Sequence, residues 1–318
     1  LFAYALKRTA SVLAVLVAMS ALVFAATHAM PANTAAMVLG PYATPETTAA
    51  LEHKMGLDQP LLAQYWRWAD GVLHGDLGQS LVMERPIAPV LREAFARSMT
   101  LAVVSMTIVA LLGVASGMLA AVSRGRWPDH AVSLLAYLGI ALPEFYWGLI
   151  LILVFASGLG VLPSSGAGEM SNGVGDVAAH LVLPVATLTL ALLAHVSRLT
   201  RASMIEVLDS AYVKAARARG LPERTVILGH ALRNALLPSI TILAQDFGSL
   251  IGGIVAVEAV FAYPGLGRLL VFSLERLDLP TIQAAILVMT AVYCLANLCA
   301  DLCYGALNPR IRHGGAVG

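Results

Sequence analysis

From Ser98 to Ser123 the chain runs without a charged residue, and this run constrains the fold more than any motif does. About 20 apolar residues in a helix cross a bilayer core. Only a helix or a closed barrel can take its backbone through lipid with every N–H and C=O paired. Thr9 to Ala29 is a second such run. Others read from Ala131 to Gly158, with Pro143-Glu144 inside, from Leu181 to Ser197, shorter and bent by Pro184, from Pro238 to Ala262, and from Leu279 to Gly305. The first run follows Lys7-Arg8 as a signal peptide would, but it is long enough to span and reads as a retained helix. The expectation is an all-α membrane protein with six transmembrane helices.

Composition sharpens this reading. Hydrophobic residues make up 58% of the chain and charged ones 12%, whereas a soluble domain carries about 25% charged residues. The net charge of +1 is spread over short loops, so nothing points to nucleic acid. The segment from Met30 to Arg97 differs: it holds seven acids, five basic residues and six prolines. It reads as small amphipathic helices outside the bilayer, with Trp66 and Trp68 fitting either a membrane interface or packing within that segment. Three regions are expected: an N-terminal transmembrane helix over 1–29, an external helical segment over 30–97, and a five-helix core over 98–318 with a cytoplasmic loop at 198–237. The Gly/Ser-rich loop from Gly158 to Asp176 reads as flexible.

Orientation follows from the basic residues. Thirteen of the 20 Lys and Arg fall at Lys7-Arg8, Arg124 and Arg126, the stretch from Arg198 to Arg233, and Arg310 with Arg312. Placing these in the cytoplasm puts both termini of a multi-pass membrane protein there. The stretch Tyr212–Pro238 is then cytoplasmic. Tyr212 to Arg219 is rich in Ala, Lys and Arg, which favour helix, and Gly220-Leu221-Pro222 is a stop. A second helical run from Glu223 is expected to end against Pro238.

Lys214-Ala215-Ala216 followed by Gly220 resembles the "EAA…G" cytoplasmic loop of ATP-binding-cassette import permeases, with Lys214 where that motif has Glu. The run His230 to Pro238 resembles the peptide and nickel branch of them. So do Gly56-Leu-Asp-Gln-Pro60 with Gln64-Tyr65, Gly75-Asp-Leu-Gly78 with Ser80, Val257-Glu-Ala-Val-Phe261 with Pro264-Gly-Leu-Gly-Arg268, and Asn308-Pro-Arg-Ile-Arg312. The resemblance covers nearly the whole chain. It implies a type I importer permease fold with a coupling helix, in which Lys214, Ala215, Ala216, Arg217, Arg219, Gly220 and Arg224 meet a separate ATPase. It also implies a second, similar permease subunit, two ATP-binding-cassette ATPase subunits and an extracytoplasmic substrate-binding protein. The substrate class implied is di- or oligopeptides, with a nickel or metal chelate or glutathione as alternatives. Read without the resemblance, the same loop could be an ordinary basic segment held by anionic lipid.

The chain has three lysines, Lys7, Lys54 and Lys214, and none closes a Gly-x4-Gly-Lys phosphate loop. ATP would therefore be bound by partner subunits, and no enzyme activity or cofactor is expected of this chain. Carboxylates at membrane depth are costly unless wet or partnered, which makes Glu144, Asp246 and Glu258 candidates for the pathway. A structural role near the end of the fifth span is the alternative for Glu258. A self-contained ion-coupled carrier using these three acids is the rival reading. Gly248 and Gly252 have the small-residue spacing of close helix packing, here against a second permease. His28, His74 and His180 lie apart in sequence, and no metal site is expected. Cys294, Cys299 and Cys303 read as buried, unpaired thiols.

Overall fold

The computed structural model of the protein describes residues 2–29, 43–55 and 58–307. Gly56 and Leu57 of the first motif, the tail Asn308–Arg312 and the side chain of Cys303 lie outside the described residues. The architecture among the described residues is helical. In chain order the helices are α1 (Phe2–His28), α2 (Pro45–Met55), α3 (Leu61–Leu73), α4 (Ile87–Val122), α5 (Trp127–Ala141), α6 (Glu144–Leu151), α7 (Val174–Leu208), α8 (Ala211–Ala218), α9 (Leu232–Val260), α10 (Leu266–Glu275) and α11 (Leu279–Leu307). Among the described residues five helical stretches are long and apolar enough to cross a membrane, six if the bent pair α5 with α6 is one span.

The third span, read from sequence with Pro143-Glu144 inside it, is broken there. The two helices meet at 104°. Leu142 is extended (φ −120°, ψ 144°) because the ring of Pro143 bars the preceding residue from helical geometry. α6 then continues as a π-helical turn, Ile152–Gly158.

Two prolines act less strongly than expected. Pro184 lies inside α7, which is one of the longest spans rather than a shorter one. Pro238 does not stop the second helical run either: Glu223 to Val260 is one helical stretch, with a π-helical turn over Val226–Ala231. A proline inside a helix removes one backbone hydrogen bond, and neighbouring helices and side chains can satisfy the freed groups where the span continues.

α4, α7 and α9 form the centre of the bundle. Leu101 and Val109 of α4, Leu188 and Val196 of α7, and Leu250 and Ile254 of α9 are buried together. Association of helices within lipid depends on close packing, and α4 achieves it with glycines. A Cβ at Gly113 would sit 2.8 Å from Val196 Cβ, and one at Gly117 would sit 2.5 Å from the Ser197 carbonyl oxygen. Around this centre, α11 packs on α9 and α1 packs on α11. Gln283 of α11 donates to buried Thr27 of α1 at 2.6 Å.

The bundle has a basic end and a far end. At the far end α3 is fastened to α1: Tyr65 hydroxyl lies 2.8 Å from Ser20 Oγ, and the Phe24 ring meets Tyr65 and Trp68. Trp68 is thus a packing residue, whereas Trp66 is exposed. The loop after α6, flexible by composition, is held in place. Gly166 N–H donates to the Phe261 carbonyl (2.9 Å), and Glu169 N–H donates to Asp176 Oδ2 (2.7 Å). α4 starts at Ile87, upstream of the charge-free run, because Pro86 sets its first turn and Leu91 and Ala94 are already buried.

Candidate functional site

At the basic end, α8 hangs beneath the last turns of α7. Its inward side is short and apolar: Val213 and Ala216 are buried against Ala121, Met204, Val226 and Ala231. Its outward side presents Lys214, Ala215, Arg217 and Arg219. Asn234, early in α9, donates to the Tyr212 hydroxyl at 2.8 Å and ties the helix back. Gly220 closes α8 at φ +75°, a backbone state open to glycine at no steric cost. Its N–H donates to the Arg217 carbonyl at 2.9 Å. Among the described residues nothing lies within 4 Å of where a Gly220 Cβ would sit, so that corner is open.

The seven residues read as a docking surface therefore separate. Lys214, Ala215, Arg219, Gly220 and Arg224 are exposed. Ala216, expected on the outer surface, faces inward, because it falls on the same helical side as Val213. Arg217 is exposed but engaged: it pairs with Glu223 across the turn at 2.7 Å, and that carboxylate pushes its guanidinium pKa further up. Among the described residues Lys214, Arg219 and Arg224 form no ion pair, which leaves them available to an acidic partner.

The three carboxylates read as a pathway set stand in three situations. Glu258 is fully buried and satisfied: Oε1 accepts from Ser98 Oγ at 2.5 Å, and Oε2 accepts from the backbone N–H groups of Gly267 (2.7 Å) and Arg268 (3.3 Å). It takes up the orphan donors at the start of α10, a capping role carried out from another helix. Gly265 is required there, since a Cβ would collide with the Glu258 carboxylate. Burial, and then the Glu258 carboxylate beside it, pushes the Tyr263 phenol up to about 12. Glu258 is thus a structural anchor and leaves the pathway set.

Asp246 is buried between α9 and α7. Its Oδ1 lies 3.6 Å from His195 Nδ1, and its Oδ2 has no hydrogen-bond partner among the described residues. The His195 side chain is 50% exposed. Glu144 opens α6, half-buried, with its carboxylate against Gly253 of α9 where a Cβ would collide. Gly248 and Gly252 divide in the same way. A Cβ at Gly248 would lie 3.1 Å from the Asn297 side chain of α11, whereas one at Gly252 would meet nothing within 4 Å among the described residues. Gly248 is therefore a packing residue within the chain, and Gly252 faces outward.

Three features escaped the sequence reading. The spacing Gly113-x3-Gly117 equals that of Gly248 and Gly252 and could have been noticed by the same rule. Asp278, fully buried, accepts from Ser80 Oγ (2.5 Å), Leu81 N–H (3.1 Å) and Thr281 Oγ1 (2.8 Å), and so fastens the Gly75–Ser80 segment to the start of α11. Asp129 holds Arg201 bidentately, with Nε to Oδ1 at 2.6 Å and a terminal nitrogen to Oδ2 at 2.7 Å. Both acids pair across long sequence separations, and no local spacing signals that.

The histidines stay apart. His28 contacts Gln64 at 3.2 Å, His74 the Asp70 carbonyl at 2.8 Å and His180 the Asp176 carbonyl at 2.8 Å. Among the described residues no group of three or more His, Cys, Asp and Glu could hold a metal. Cys294 is buried as expected but Cys299 is exposed, because the two fall on different sides of α11.

Comparison with known proteins bears on this geometry. Residues 113–313 match the family described as binding-protein-dependent transport system inner membrane component, and residues 1–119 match its N-terminal counterpart. The chain is 41% identical over 310 residues to the glutathione transport system permease protein GsiC of Escherichia coli O6:H1, covering 98% of this chain and 99% of that protein. The proteins of that name from Shigella dysenteriae serotype 1 and Salmonella paratyphi A give the same identity and coverage. In fold it is similar to a crystal structure described as an amino acid ABC transporter with histidines (TM-score 0.52, 18% identity), covering 70% of this chain and 94% of that one.

Proposed function

Given that the chain belongs to the binding-protein-dependent transport system inner membrane components, we propose that it forms half of a pathway for short peptides and is driven through α8 by a separate ATPase. The type I importer fold and the role of permease subunit come with the family. Glutathione, a tripeptide, is the first substrate to test, because relatives at 41% identity are named for it. Longer peptides and a metal chelate rank behind it. A second, similar permease closes the pathway, two ATPase subunits bind ATP below, and a binding protein delivers the substrate from the other side. By the positive-inside rule the basic end faces the cytoplasm, with both termini there. The segment 30–97 then belongs to the face that meets the binding protein.

One observation carries the docking assignment: α8 is a short helix whose apolar side is already filled by its own chain, while the other side offers Lys214, Arg219 and the open corner at Gly220. A basic, small-residue surface fits an acidic groove on a partner. Asp246 and Glu144 remain pathway candidates, and Gly252 is available to the second permease. The rival carrier reading loses Glu258, one of its three ion sites, to the capping of α10. In proteoliposomes with the partner subunits, Gly220→Asp is expected to leave membrane insertion and ATP hydrolysis intact while uptake falls at least tenfold. Normal uptake by that variant would remove α8 as the coupling element.

A further inference from the structure

The bent third span leaves the basic end of the bundle through a pair of charges that no docking role uses. Asp129 lies in the first turn of α5 and is 3% exposed. Both of its oxygens are occupied: Oδ1 by Arg201 Nε, and Oδ2 by the second Arg201 nitrogen and by Gly125 N–H at 3.0 Å. Gly125, at φ +74°, is in a conformation that an L side chain would resist, and so the loop joining α4 to α5 is shaped to make that third bond. A planar guanidinium matched to a carboxylate fixes orientation as well as distance.

The place of this clamp gives it consequence. Arg201 sits in the last part of α7, between the spanning portion and α8. At the same level Gly117 lets α4 touch the backbone of α7, and Thr200 Oγ1 lies 2.8 Å from Ser239 Oγ of α9. Farther along, α5 is pressed on α7 again, since a Cβ at Gly139 would sit 2.5 Å from the Leu190 carbonyl oxygen. α5 is therefore pinned to α7 at both ends, by backbone contact at Gly139 and by charge at Asp129. Beyond Gly139 come the 104° bend and Glu144, which rests on Gly253 of α9.

We propose that Asp129 and Arg201 are the positioning pair that makes α5 move with α7, so that displacement of α8 reaches the bend at Pro143 and the Glu144–Gly253 contact. With the pair intact, a push on α8 turns α7 and α5 together. With it broken, the loop at Ser123–Arg126 absorbs the push, and the bend does not respond. This inference rests on the importer reading and adds the route of transmission to it.

The test uses the complete transporter in proteoliposomes, with glutathione as the probe and ATP inside. Asp129→Asn keeps shape and removes charge. Arg201→Lys keeps charge and removes the two-pronged fit. Asp129→Arg combined with Arg201→Asp exchanges the partners. Uptake and ATP hydrolysis are measured on the same vesicles. The single variants are expected to lose uptake about tenfold while hydrolysis stays within about twofold of the parent, and the exchange is expected to recover at least a third of parental uptake. Equal loss of uptake and hydrolysis in assembled complexes would make the pair merely structural, and unchanged uptake in Asp129→Asn would overturn the proposal outright. Absence of ATP-driven glutathione uptake by the parent complex would instead count against the substrate reading. A peptide mixture replaces glutathione in that case, with the ratio of uptake to hydrolysis still deciding the role of the pair.

Discussion

At the far end of α9, Glu258 is wholly enclosed and each of its oxygens accepts a hydrogen bond, whereas in the middle of the same helix Asp246 has one contact at 3.6 Å and an oxygen with no partner. Both are carboxylates at membrane depth and both stand as pathway candidates in the sequence, with a structural role as the alternative for Glu258. What separates them is the chain that returns to meet them. Ser98 and the start of α10 converge on Glu258, while among the described residues the Asp246 carboxylate meets only the half-exposed His195. A satisfied buried acid is architecture, and an unsatisfied one is a position where solvent, substrate or a movement can supply what is missing.

This contrast can be broken by substitution, and the largest effect belongs to Glu258. Glu258→Ala would strand Ser98 and two backbone donors, a loss of about 3 kcal/mol or more. Thermal unfolding in detergent should show it, and a midpoint like the parent's would refute the capping role. Gly265→Ala pushes a methyl group into the same carboxylate and is expected to cost about 1–3 kcal/mol by overpacking. Recovery in the double variant Gly265→Ala with Glu258→Gln is not expected, since the amide is no smaller; recovery would mean that the clash was not steric.

Asp246→Asn runs the other way. It removes an unsatisfied charge, so stability should hold or rise by about 1 kcal/mol, while uptake by the whole transporter falls. A destabilised Asp246→Asn with unimpaired uptake would erase the contrast with Glu258. The smallest change is Gly252→Ala, which meets open space and should gain about 0.5 kcal/mol from helix propensity in the isolated chain. If it weakens association with a second permease, Gly252 lies in that interface; if the assembled complex is as stable as the parent's, it does not.

Much was legible without a structure. Charge-free runs such as Ser98–Ser123 had to become spans, and Gly220 had to end a helix, because both follow from local chemistry. The inward turn of Ala216 was readable too, since it shares a helical side with Val213, but only with knowledge of which side faced the bundle. The engagement of Arg217 by Glu223 spans a turn whose geometry depends on Gly220. Asp129 with Arg201, and Ser80 with Asp278, join residues from distant parts of the chain, and neither partner carries a mark of the other.

Hydrophobicity and basic-residue placement act residue by residue, so the sequence by itself determined the helical membrane architecture and the location of the basic helix α8. Hydrogen bonding of buried charge acts between segments, and only the tertiary structure decided that Glu258 caps α10, that Asp246 is left wanting, and that the third span turns sharply at Pro143. A carboxylate's role in lipid is set by the number of donors that reach it, and that number exists only after the chain has folded back on itself.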